Sequence, residues 1–154
     1  MTPITSTAFL RRGNKAKAEE QFQLATLGAE EPSSAMFYYD QPADMILYQG
    51  LSLLKLGDKK GAMRKFNKLL DYGERHMFDD VKIDFFAVSL PDLQLWEDDL
   101  NRKNQAHCYF VLALGSIGLG AREEAEDYIG KALALNNNFA AALIHRKLLD
   151  LLIS

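Results

Sequence analysis

Three histidines, one cysteine and several clustered acids have the most chemical reach in this 154-residue chain. His76 stands just ahead of Asp79, Asp80 and Asp84. A metal ion would need three or four such groups to converge. For a hard cation the run also lacks calcium-loop spacing and its glycine, so it reads as a solvated turn with capping carboxylates. His107 and Cys108 are adjacent. On a helix they point about 100° apart and cannot form a nucleophile–base pair with each other. Cys108 reads as a small buried hydrophobe, and His145 has no obvious partner. Glu97, Asp98 and Asp99 are consecutive, a pattern of a solvated face rather than of facing carboxylates. Glycoside hydrolysis needs two carboxyls across a cleft, which this run does not provide. P-loop, GxSxG, CxxC and HExxH motifs are missing. The expectation is a protein without catalytic, metal or cofactor residues.

Composition narrows the classes further. The formal net charge of −3 leaves no basic footprint for nucleic acid. The apolar runs fall far short of a bilayer span. The opening MTPITSTAFLRR lacks the basic region followed by a long apolar core that marks a signal peptide. A single cysteine rules out an internal disulfide and points to a reducing, cytoplasmic setting.

Apolar residues recur at three- and four-residue steps over 45–70, 109–135 and 139–153, which predicts a nearly all-helical chain. The breaks are short and polar. LGDKKGA (56–62) and LGAREEA (119–125) share one layout: a glycine ends one apolar run, charged residues open the next, and an alanine follows. Gly57 and Gly120 suit the left-handed position after a helix. Asp58 suits the cap of the next helix, and an asparagine of LNNNF (135–139) suits the cap of the last.

The layout repeats at fixed register. Leu56, Gly57, Ala62 and Phe66 correspond to Leu119, Gly120, Ala125 and Ile129, at an offset of 63. Moving 44 residues back from the first set finds Gly13, Ala18, Phe22 and Ala25. Repeats of this kind decide the fold. The pattern resembles the tetratricopeptide repeat, a 34-residue helix–turn–helix unit with small residues at positions 8, 20 and 27 and a large apolar residue at 24. Residues 43–76 match with Gly50, Gly57, Ala62 and Phe66, and depart at Leu69 and Glu74. Residues 106–139 match with Ala113, Gly120, Ala125, Ile129 and Ala132, and depart at Ser116 and Asn137. A partial unit at 1–32 has its second helix, while its first would begin before Met1, as in a piece of a longer protein or a truncated cap. A 29-residue insertion occupies 77–105, with one short helix after Pro91. A closing helix at 140–154 caps the array, with Lys147 where a small residue is expected. The implied fold is an all-α solenoid of antiparallel hairpins forming a single domain.

Residues 37–135 also resemble the C-terminal repeat region of a family of large, mainly bacterial proteins that carry a β-rich domain of uncharacterised function ahead of the repeats. The pieces that carry this likeness are YGE-H-F-DDVKIDFFAVSLPDL, DLNRKNQAHCY and GLG. The repeat resemblance implies a concave groove lined by positions 2, 5, 9 and 12. Those are Asp44, Leu47, Leu51 and Leu54, then His107, Phe110, Leu114 and Ile117, then Ala141, Ile144, Leu148 and Leu151. The best-known groove of this class holds an acidic C-terminus with Lys, Arg and Asn, which are missing at these positions. An apolar stripe must be covered. Either the insertion fills it, anchored by Phe85, Phe86, Leu90, Leu93 and Trp96, or a partner does. The expected function is a non-catalytic protein-interaction scaffold. Its partner would be a protein or peptide, the preceding domain of a longer parent, or a second copy. The alternatives are an accessory helical segment of a carbohydrate-active enzyme and a homodimerisation module.

Overall fold

The computed structural model describes residues 15–27, 43–81 and 93–153, with backbone alone for 93–98. Gly13, Asp84, Phe85, Phe86 and Leu90 lie outside the described residues, and the side chains of Leu93, Trp96, Glu97 and Asp98 outside the described side chains. The described residues form six helices and no strand: α1 (Lys15–Ala25), α2 (Asp44–Lys55), α3 (Lys59–His76), α4 (Leu93–Gly118), α5 (Arg122–Leu135) and α6 (Ala140–Leu152). None is long and apolar enough to cross a membrane.

Three helices bury the same spacing. Ala18, Phe22 and Ala25 on α1, Ala62, Phe66 and Leu69 on α3, and Ala125, Ile129 and Ala132 on α5 are all interior. Steps of four and three residues keep each trio on one face of a helix. The helices between them are covered on more sides. On α2, Ile46 to Gly50 are consecutive buried residues, and on α4 burial is nearly continuous from Ala106 to Ile117. Each helix packs on its chain neighbour. In addition α2 touches α4 and α4 touches α6, so α2, α4 and α6 form one layer with α3 and α5 set against it. The buried hydroxyls of Ser52 and Ser116 are satisfied locally, donating to the carbonyls of Tyr48 and Leu112 one turn back.

Two turns are built alike, as their shared sequence predicts. Gly57 and Gly120 have φ of +89° and +73°, a region that favours glycine. The Gly57 and Asp58 amides donate to the carbonyls of Leu54 and Leu53, and those of Gly120 and Ala121 donate to Ile117 and Ser116. This paired bonding closes a helix end and uses up its orphan carbonyls. Asp58 caps α3 by accepting from the Gly61 amide at 2.8 Å. Ala121, its counterpart, caps nothing with its side chain. The asparagines expected to cap the last helix do not: Phe139 holds the N-cap position of α6 without a side-chain bond. Its ring packs on Phe110 instead, with centroids 5.1 Å apart, so apolar anchoring sets this entry.

The boundary expected at 105/106 is not a structural break. The helix after Pro91 is not a short separate element but the first part of α4, which runs unbroken from Leu93 to Gly118. No proline or glycine interrupts 93–114. The extension is tied back to the end of α3: the Asn104 amide donates to the His76 carbonyl, and Asn101 accepts from the Val81 amide, both at 2.8 Å.

The tightest seam surrounds Phe66, whose side chain is fully buried. A Cβ at Gly50 on α2 or at Gly118 on α4 would overlap its ring. Deeper along the same seam, a Cβ at Gly115 would sit 2.7 Å from Leu70 Cγ and 3.1 Å from the Phe66 carbonyl oxygen. A Cβ at Gly73 would meet Leu112 Cγ at 2.5 Å and the Cys108 carbonyl at 3.0 Å. Helices α3 and α4 therefore approach with glycine facing bulk on both sides.

Overpacking of this kind destabilises by about 1–3 kcal/mol. Gly118→Ala is expected to lower stability by that amount in denaturant titration. Phe66→Leu in the same chain should recover part of the loss, because the two sites share one contact. Strictly additive losses would show that the alanine methyl and the ring do not meet.

Candidate binding face

The residues expected to line a groove lie on α2, α4 and α6, which the fold does bring alongside one another. Their exposure is uneven. Leu47, Phe110, Leu114 and Ile117 are interior and belong to the main core cluster. His107 is nearly buried. Leu51 and Leu148 are half-buried, and Leu54 and Ile144 are exposed. The α2–α4 stripe is thus closed over rather than open. Ala142 and Leu149 of α6 pack in the same cluster as Leu47, Phe110 and Leu114.

What joins α6 to α2 is polar. Tyr48 Oη and His145 Nε2 are 2.8 Å apart across 97 residues of sequence. His145 is 2% exposed. Its Nδ1 lies 2.8 Å from the carbonyl oxygen of Ala141 in its own helix. A carbonyl only accepts, so Nδ1 carries the proton and a neutral ring offers Nε2 as the acceptor for the Tyr48 hydroxyl. Tyr48 can fill that role throughout the ordinary pH range. Burial, and secondarily the charge of Asp44, push its ionisation well above the usual phenol value. The imidazole is packed from α4 by Phe110, at 5.3 Å between centroids and nearly edge-on. Asp44, one turn before Tyr48 on α2, places Oδ2 3.9 Å from His145 Nε2. Its Oδ1 is buried without a hydrogen-bond partner among the described residues.

An acid, an imidazole and a phenol in one cluster are the components of a proton relay. Here the Tyr48 proton is directed at a nitrogen sealed inside the protein, and this geometry holds two helices together. No local spacing announces the partner of His145, which lies 97 residues away in the chain. The repeat pattern does not single out Gly73, Gly115 or Gly118 either. The signal for the last two was present in LALGSIGLG, where small residues recur every three or four positions on one helix face.

The other chemical candidates sit apart from this cluster. His76 Nδ1 and Asp79 Oδ2 form an exposed pair at 2.6 Å, the solvated turn the sequence suggests. Among the described residues no three His, Cys, Asp or Glu side chains converge as a metal site would need. His107 lies edge-on to Tyr72, with centroids 6.3 Å apart. Cys108 is fully buried, in a small cluster with Met77 and Leu112. Burial and, to a lesser degree, the charge of Asp79 push its thiol up to about 12. On the surface, Lys131 spans the rings of Tyr109 and Tyr128 at 5.9 and 5.5 Å.

No family model matches the chain, and no solved structure matches it.

Two outcomes follow. Long-range ¹H–¹⁵N spectra near neutral pH should show His145 as the Nδ1–H tautomer, with Nε2 in the acceptor range; an Nε2–H tautomer would break the assigned clasp. Thiolate is the reactive form of cysteine. The folded protein at pH 8 should therefore resist a thiol alkylating reagent and react promptly once unfolded. Rapid native labelling would contradict the buried thiol.

Proposed function

We propose that the chain is a tetratricopeptide-like array acting as a non-catalytic scaffold for another protein or peptide. The observation that carries this reading is the duplicated hairpin. Two turns with the same backbone bonding lie 63 residues apart. Each leads into a helix that buries the small–large pattern Ala62–Phe66 or Ala125–Ile129. Units of this kind stack so that neighbours cover each other's faces. The helices α2, α4 and α6 then form the partner-facing layer, and its side chains are mainly apolar. An amphipathic helix presenting anchors at three- and four-residue steps is the partner chemistry that suits such a layer. A cytoplasmic setting, and a longer parent whose preceding domain is the partner, belong to the same proposal. The single buried thiol supports the first, and the resemblance of residues 37–135 supports the second.

Leu54 and Ile144 are the expected groove positions that remain exposed, so they can be changed without emptying the core. A displayed library of amphipathic helical peptides selected on the full chain should return binders. Leu54→Asp and Ile144→Arg should each weaken them at least tenfold, about 1.4 kcal/mol or more. Binders indifferent to both changes would place recognition elsewhere. Self-association that disappears with the same changes would favour a second copy as the occupant.

A further inference from the structure

The two hairpins share their turns and their buried positions, but their outer faces carry opposite charge. KKGAMRKFNK (59–68) opens α3 and REEAEDYIGK (122–131) opens α5, each in the same place after its turn. The first stretch has five cations and no acid, and the second has four acids and two cations. Both cations of the second are paired within α5: Arg122 with Glu126 at 3.0 Å and Lys131 with Asp127 at 2.7 Å. Glu123 and Glu124 stand exposed outside those pairs.

Elsewhere the helices use the four-residue step to pair opposite charges, as in Asp71–Arg75, Asp99–Lys103, Arg122–Glu126 and Asp127–Lys131. On α3 the same step stacks like charges: Lys60, Arg64 and Lys68. Like charges one turn apart weaken a helix. Lys60 and Arg64 are exposed and join no ion pair among the described residues. Met63 stands between them, 42% exposed, and offers a flexible apolar contact.

Helices α3 and α5 both pack on α4, so the faces they leave exposed point away from the α2–α4–α6 layer. A cationic face beside an anionic one is self-complementary. A two-fold axis running between the two helices sets each against its opposite on a second copy.

We propose that the outer face of α3 and α5 binds a second copy of this chain, with α3 of each copy against α5 of the other. Lys60 and Arg64 meet Glu123 and Glu124 twice, once on each side of the axis. Exposed ion pairs contribute little singly. Several together, of complementary sign, fix the register of a weak dimer and steer its encounter. The face lies opposite the layer proposed above for a partner, so one chain can hold a partner and a second copy at once. The dimer does not depend on that scaffold reading.

Sedimentation equilibrium of the full chain is the test. At about 0.01 M salt, where the screening length is about 30 Å, the mass should climb toward the dimer as concentration rises. At about 1 M, where that length is about 3 Å, the chain should stay monomeric. Lys60→Glu with Arg64→Glu should be monomeric at low salt, and so should Glu123→Lys with Glu124→Lys. An equimolar mixture of these two variants should regain the dimer, because every contact across the axis again joins opposite charges. The dimer is overturned if the wild type stays monomeric at low salt, if its association is the same at both salt concentrations, or if the mixture of folded variants stays monomeric. Association that is lost with Leu54→Asp or Ile144→Arg and kept in the charge variants lies on the other layer, and overturns it too. Should a variant lose the wild-type circular dichroism, the salt dependence of the wild type decides. Failure of peptide selection on the scaffold leaves these masses untouched, so the two readings fail separately.

Discussion

The contact on which the rest of the structure depends is the Phe66 ring held between Gly50 of α2 and Gly118 of α4. It fixes three helices at once, because neither glycine position has room for a further carbon. Interior packing at this density tolerates little change in volume. The ring thereby sets how closely α2 and α4 can come to each other on either side of α3. Once those two are placed, the rest of the layer follows along α4, where Gly115 receives Leu70 and Leu112 lies over Gly73. The turn glycines serve a different purpose. They reverse the chain at Gly57 and Gly120, and the packing glycines decide how tightly the reversed helices meet.

Against this apolar framework, the Asp44–Tyr48–His145 cluster brings polar side chains from distant elements together in the interior. Polar contacts of this kind add less net stability than well-packed apolar ones, but they demand a particular arrangement of donors and acceptors. The Ala141 carbonyl selects the imidazole tautomer, and the tautomer selects the direction of the Tyr48 hydroxyl. The closing helix is therefore held in register by bonding geometry together with the core packing of Ala142 and Leu149, where α3 is held by shape.

Much of the architecture was legible in the sequence because repeats are a local signal. Gly57, Asp58, Ala62 and Phe66 lie within ten residues of one another, and their counterparts reappear at a constant offset, so spacing alone predicted the turns and the buried stripes. Phe139 was less legible, since the asparagines before it offer caps and only the Phe110 ring, far away in sequence, competes for the position. The length of α4 was obscured by the repeat itself: a 34-residue register invites a boundary at 105/106, while Asn101 and Asn104 anchor the helix on the near side of it. The binding face was the least legible. The stripe from Leu47 to Ile117 could be read as a face, but whether a face is open depends on what folds over it. The bond that brings α6 there joins residues with no shared pattern.

One aromatic ring, that of Phe66, touches both flanking helices simultaneously. Nuclear Overhauser contacts from the Phe66 ring protons report on both approaches at once. Strong contacts to the Hα protons of both Gly50 and Gly118 are expected in the same folded species. Contacts to only one of the two glycines, or to neither, would contradict it.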